Sequence, residues 1–364
     1  MKPFLPARFC SALLAMAGCG VLSAAQLMYV GTLDKKLLVI DEEKQTVVDE
    51  IALGGIPRTT ALSLDNTKLY ILSTQMLLET VDLKSRKIIS SFNLGDERNK
   101  PRRATGLVPD PTGRYIYTTM RVVIKDIDQY RIDAPVFVAL DVQEKKIAKT
   151  WPFPKGMEQG FGNGTYKVSH DGKLLYVFQE NILVFDLDTF KQVDTIELAQ
   201  PPFPGASPYR LTANADPFDE PDKVTSVFTA VDSIVHKPTL GMATIDLSTR
   251  KVDYFPIGPV LPMTGFQLSP DKKWGYSVMP SGVGGNRSTE WWLWDLANHK
   301  VVKKQDFDTR PTFKFAVGGD GSKLYLYGAG PTLEIWDAKT LKSLKLIDLK
   351  KDTTTNLITL PPTE

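Results

Sequence analysis

Apolar and polar residues alternate along this chain in short runs, and seven of the apolar runs end on an aspartate followed by a polar turn. The instances are VIDEEKQTV (Asp41), TVDLKSRKI (Asp82), ALDVQEKKI (Asp141), VFDLDTFKQV (Asp186), TIDLSTRKV (Asp246), LWDLANHKV (Asp295) and IWDAKTLKS (Asp337). Successive aspartates lie 41, 59, 45, 60, 49 and 42 residues apart. Ahead of most of them stands a second signal, a turn that opens a strand. It reads SLDNTKLYIL at 63–72, VPDPTGRYIY at 108–117, VSHDGKLLYV at 168–177, LSPDKKWGYS at 268–277 and GGDGSKLYLY at 318–327. Asp-Gly, Asp-Asn and Pro-Asp form turns because they tolerate positive φ and hydrogen-bond their own backbone. The Leu/Ile/Tyr/Val run after each turn predicts a strand packed on both faces.

Each unit therefore predicts an inner strand, a central strand, a third ending in the aspartate, and an outer strand. Lysines in the outer segments KVVKKQDF (300–307) and KSLKLIDL (342–349) suit an exposed edge, where charge discourages pairing with another sheet. An all-strand repeat of roughly 40–50 residues predicts a β-propeller. The fold class is all-β, with residues 26–364 as one seven-bladed domain. Length alone would suggest two or three domains, but a closed ring of blades is a single unit. The first unit opens on LMYVGT (27–32) with no turn-led inner strand, while a spare β-rich segment, DTTTNLITLP (352–361), follows the last. The C-terminal segment is expected to complete the first blade and close the ring.

The N-terminus departs from the repeat. Lys2 and Arg8 precede the apolar, small-residue stretch FCSALLAMAGCGVL (9–22), and Ser23-Ala24-Ala25 offers a cleavage site before Gln26. Residues 1–25 are expected to be a secretory signal peptide, too short for a good membrane span. Met16-Ala17-Gly18-Cys19 loosely resembles a lipobox, so a lipid anchor at Cys19 competes with soluble export. Either way the expected location is periplasmic or secreted.

Export changes the arithmetic of charge and thiols. Cys10 and Cys19, the two cysteines, both fall in the signal region. The expected mature chain then has no disulfide, no thiolate metal ligand and no C-x-x-C-H for covalent haem. Removing Lys2 and Arg8 takes Lys+Arg from 44 to 42, which equals the 42 acids. A formally neutral chain gives no broad electrostatic basis for binding nucleic acid or an anionic membrane.

Signs of catalysis are sparse. His170, His236 and His299 sit at non-matching places in different repeats, which argues against a histidine metal site. No Gly-x-Ser-x-Gly elbow is present. Gly282, Gly284 and Gly285 in SGVGGNRS read as a loop rather than a phosphate cradle. The acid-rich DPFDEPD (216–222) has calcium-like density without EF-hand spacing and reads as a solvated insertion. The basic run Arg98, Lys100, Arg102, Arg103 reads as a solvated loop before the third unit. Trp291, Trp292 and Trp294 read as blade packing.

Three units are longer than the rest, through 120–137 in unit three, 214–240 in unit five and 280–290 in unit six. Long connections in a regular repeat mark a working face. Placed between strands two and three, all three would share one side of the disc.

At this point a family resemblance appears. The stretch ATGLVPDPTGRYIYTTMRVVIKDIDQYRIDAPVFVALDVQEKK (104–146) resembles the third blade of the β subunit of quinohemoprotein amine dehydrogenase. LMYVGTLDKKLLVIDEEKQTVVDEI and KLYLYGAGPTLEIWDAKTLKSLKLIDLKKDTTTN are similar to that family's termini, and the large subunit of methylamine dehydrogenase is a more distant relative in architecture. The resemblance implies a periplasmic propeller without catalytic residues of its own, in a hetero-oligomer. Cysteine tryptophylquinone would sit in a small partner subunit and haem c in another. The expected partner face comprises Arg102, Arg103, Arg121, Tyr130, Arg131 and Arg287, Tyr and Arg being favoured interface anchors. Two other classes stay open: a free-standing YVTN-type secreted propeller that binds a protein, peptide or glycan, and a propeller hydrolase or lactonase using Glu, Arg and Asp around the central channel.

Overall fold

Turn signals every few tens of residues divide the chain into seven antiparallel sheets, six of four strands and one of five. The structure, a computed structural model, describes residues 26–157, 165–198, 210–211, 218, 220, 222–231, 236–258, 263–281, 288–308, 313–328 and 330–361. Blades two to seven span 57–93, 99–152, 165–196, 210–258, 264–307 and 314–348. Within each the strands pair in chain order, inner to outer; blade three carries an extra short strand. This is the seven-bladed propeller that the repeat predicts. The central strands are buried along almost their whole length, as at Lys68–Ser73, whereas the outer strands alternate, as at Lys300–Phe307. Blades sandwich their central strands from both sides and leave one face of each outer strand to water.

Blade one is built from both ends of the chain. Its second strand, Leu27–Thr32, pairs on one side with Lys36–Asp41 and on the other with Ile358–Thr359. The ladder itself is short. The closing segment is also held by the Gly31 N–H donating to Thr355 Oγ1, the Thr354 N–H to the Gly31 carbonyl, and the Leu357 N–H to the Tyr327 hydroxyl.

The seven repeat aspartates all do the same work. In each, Oδ1 accepts the backbone N–H three residues on: Lys44, Ser85, Glu144, Thr189, Thr249, Asn298 and Thr340. The residue after that donor has positive φ in every case: Gln45, Arg86, Lys145, Phe190, Arg250, His299 and Leu341. None of these is glycine, so the carboxylate bonds hold a left-handed residue that its side chain disfavours. The inner turns use a Ser-x-Asp variant, with Ser63, Ser169 and Ser269 each donating to the aspartate two residues on at 2.6 Å. Because strands alternate in direction, both turn sets lie on one face of the disc, here termed the turn face. Connections from strand two to three, and from blade to blade, lie on the opposite, loop face.

A second repeat joins blade to blade. Tyr29, Tyr70, Tyr117, Tyr176, Tyr276 and Tyr325 share one register position, opposite the residue two before the repeat aspartate. All are buried. Tyr29 and Tyr176 donate to the carbonyls of Leu83 and Leu247 in the next blade, and Tyr70 to that of Gly113. Burial pushes the Tyr70 hydroxyl up to about 12. Tyr325 donates instead to the buried carboxylate of Glu42 at 2.9 Å, joining blade seven to blade one. Trp291, Trp292 and Trp294 are buried in the cluster that joins blades five, six and seven.

Two expectations change. The acid-rich part of the unit-five insertion lies between strands one and two, on the turn face: Asp222 accepts the His170 N–H, and Glu220 pairs with Lys223 and Lys272. It therefore does not share a side with the unit-three insertion. The register explains this, since Lys223 sits opposite the repeat aspartate Asp246 and so begins strand two. The basic segment expected as a loop is strand from residue 99 onward, because neighbouring residues 121–125 offer it a pairing edge. Residues 1–25, with Cys19 and the cleavage site, lie outside the described residues, as do Gly282, Gly284, Gly285, Asp216 and Asp219. Among the described residues, no helix is long and apolar enough to cross a membrane.

Candidate functional site

The loop face carries a projection on blade three that recurs in no other blade among the described residues. The central strand of blade three runs Tyr115–Lys125, but its partner on the outer side, Val136–Asp141, stops pairing at Met120. Residues 121–125 continue beyond the blade, roughly 17 Å at strand rise. They pair on one side with Asn99–Arg102 and on the other with Tyr130–Ile132, forming a three-stranded finger.

Local chemistry explains why this segment stays extended. Asp96 accepts the N–H groups of Arg98 and Asn99, a turn that launches the first strand and lowers the Asp96 pKa, Asn99 being the larger cause. The Asp126 N–H donates to the Gln129 carbonyl and closes the tip hairpin. Across the strands Arg98 pairs with Asp126 at 3.1 Å. Val122 packs into the core shared by blades two and three, and Ile124 is buried, so the finger is rooted on that side.

The other side of the finger faces solvent. Register places Tyr130 opposite Lys125 and Ile132 opposite Val123, and alternation adds Arg121 to the same face. Tyr130 and Ile132 are 67% and 64% exposed, and Ile127 at the tip is fully exposed. Three large apolar side chains on the hairpin of residues 121–132, flanked by cations, form an amphipathic patch of the kind that marks an interaction site. Glu97, Arg98, Lys125, Asp126, Ile127 and Asp128 bound an open hollow of about 590 Å³ at the tip.

The sequence-derived face residues fall as follows. Arg102, Arg121, Tyr130 and Arg131 belong to the strands of this one finger, with Arg102 directly opposite Arg121, and Arg103 follows Arg102 in the same strand where its register shifts. Arg131 is on the face opposite Tyr130, 3.9 Å from Asp133. Arg287 lies outside the described residues. Sequence reasoning chose the tyrosine and the arginines and passed over Ile127 and Ile132. The alternation VVIK and YRI, with no further strand to cover it, was the available signal.

Elsewhere the polar groups serve the fold. His299 stacks on Phe255 in the Asp295 turn, and His236 is exposed. Among the described residues no three His, Cys, Asp or Glu side chains converge as a metal site. On the innermost strand of blade seven, Lys314 is solvent-accessible, yet the surrounding ring removes enough water to lower its pKa.

No family model and no curated protein matches this chain. Solved structures do. The dihydro-heme d1 dehydrogenase NirN, in complex with DHE, superposes with a TM-score of 0.55 at 14% identity, covering 92% of this chain and 75% of that one. A functionally unknown protein from Desulfotomaculum acetoxidans gives 0.58 at 11%, covering 93% and 100%. A eukaryotic initiation factor gives 0.55 at 10%, again covering 93% and 100%. A dehydrogenase and an initiation factor on one scaffold establish the fold and leave the function to the site.

Proposed function

We propose that this chain is a non-catalytic propeller subunit of an exported, quinohemoprotein amine dehydrogenase-like redox complex, and that the blade-three finger docks its partner proteins. The observation that carries the docking role is the exposed face of Tyr130, Ile132 and Ile127 beside Arg121 and Lys125. A protein surface with aromatic and aliphatic anchors ringed by cations suits a second protein better than a small substrate. The redox identity of the partners rests on the resemblance of 104–146 to that family's third blade, a segment that contains two of the finger's three strands. After Cys19 the chain has no cysteine and no C-x-x-C-H. Cysteine tryptophylquinone and haem c would accordingly reside in the small and haem-bearing partners.

The test is native purification through a C-terminal tag, with mass spectrometry and visible absorption of the product. Co-purification of a quinone-bearing small chain and a haem chain is the expected result. A colourless single chain would remove the redox reading and leave a free-standing binding propeller. Ile132→Asp with Tyr130→Ala should weaken partner binding at least ~30-fold, the scale of losing two interface anchors. Its melting temperature should stay within about 2 °C of wild type, because neither side chain is buried.

A further inference from the structure

The inter-blade tyrosine ladder has one gap. At the position held by tyrosine in six blades, opposite the residue two before the repeat aspartate, blade five has Thr225, facing Thr244 across the sheet. The side chain that should fill the junction between blades five and six is therefore missing. A cavity of about 110 Å³ occupies that place, lined by Thr225, Thr244, Met242, Leu268 and Leu296, with Glu220, Lys223 and Lys272 at its rim. Leu296 follows the repeat aspartate of blade six, as Leu83 and Leu247 do in blades two and five, whose carbonyls accept the tyrosine hydroxyls. Those two leucines are buried, whereas Leu296 is only partly so. The wall that a phenol ring covers elsewhere is open here.

We infer that this cavity binds a small monocyclic phenol, which takes the place of the absent tyrosine side chain. The volume suits one ring: it approaches the ~150 Å³ of an engineered apolar cavity that takes up benzene. The floor is apolar, with Met242 and Leu268 buried. The rim supplies an acceptor, because Lys272 and Lys223 lower the Glu220 pKa and keep it ionised at neutral pH. A phenol hydroxyl donating to Glu220 would mirror the bond from Tyr325 to Glu42 at the junction of blades seven and one. The site lies on the turn face, away from the finger, so its occupancy does not depend on the partner reading.

The test is a titration of 4-methylphenol, the tyrosine side chain as a free molecule, into the full-length protein. It is followed by the methyl signals of Met242, Leu268 and Leu296 in ¹³C-labelled samples. The expected result is saturable shifts confined to these methyls, with a Kd on the order of 1 mM for so small a ligand. Toluene, which lacks the hydroxyl, should bind at least about fivefold more weakly, the discrimination expected of one hydrogen bond. Thr225→Tyr should abolish the shifts and melt higher than wild type. Should that variant fail to fold, Leu296→Phe fills the cavity from the opposite wall and should also abolish them. Absence of saturable shifts in the wild type, or shifts that persist in the filled variant, would overturn the assignment and leave a water-filled gap.

Discussion

Each repeat aspartate is a carboxylate that acid can switch off. Local hydrogen bonds hold all seven below the usual carboxylate range: from Lys44 at Asp41, Ser85 at Asp82, Asn298 at Asp295 and Thr340 at Asp337. The Thr189 and Thr249 N–H groups do the same for Asp186 and Asp246. At Asp141 burial pushes upward, and the Glu144 N–H and Arg114 overcome it. A lowered folded pKa gives stability that is complete above the unfolded value, near 4, and is lost as pH falls through the folded values. Melting temperatures should therefore be level from about pH 5 to 7 and drop steeply below about pH 4. Asp141→Ala should lose about 2 kcal/mol in denaturant melts, since two backbone N–H groups and a guanidinium lose their acceptor together. Glu42 has the opposite sign. Burial raises its pKa, so its contribution is full at low pH and lost as pH rises through the folded value. Glu42→Gln keeps an acceptor for Tyr325 without the buried charge, and should melt higher than wild type at pH 7 but not at pH 4. The aspartates were legible as sequence because the same turn recurs seven times. Glu42 was not, because it stands in a slot that other repeats fill with Leu, Val or Ala, and only the folded ring brings Tyr325 to it.

At the level of strands, ring closure followed from a missing inner strand at one end of the chain and a spare one at the other. Its slenderness did not. Among the described residues the ladder holds just Ile358 and Thr359, with one further bridge between Thr353 and Thr32, and side-chain bonds to Thr355 and Tyr327 add to the closure. Deleting residues from Asp352 onward should lower the melting temperature by roughly 5–10 °C, given several hydrogen bonds and the buried Leu357 in a chain of this size. An unchanged melt would mean that the ring does not depend on this seam. The finger was half legible. Its length marked an insertion, yet a basic run reads as a solvated loop until residues 121–125 are seen to offer it an edge. The side of the disc for unit five was misjudged for a related reason: strand one is named by only two described residues, Arg210 and Leu211, and little in the local sequence marks it.

Across the whole molecule the two faces divide the labour. The turn face is knit by aspartates, by inner serine turns and by bridges between neighbouring blades, such as Lys272 to Glu220. The loop face bears the finger. Both ends of the described chain leave from the turn face: Leu27 sits opposite Asp41 at the start of its strand, and Gln26 reaches the Leu360 carbonyl. Whatever is attached at either end, a tag, a fused domain or a lipid on Cys19, therefore hangs behind the disc. Six residues lie between Cys19 and Gln26, a leash of at most about 25 Å. A propeller tethered in this way would turn its back to the membrane and hold the finger away from it. The same geometry makes capture through the C-terminus an orienting attachment: every immobilised molecule would offer its finger to solution.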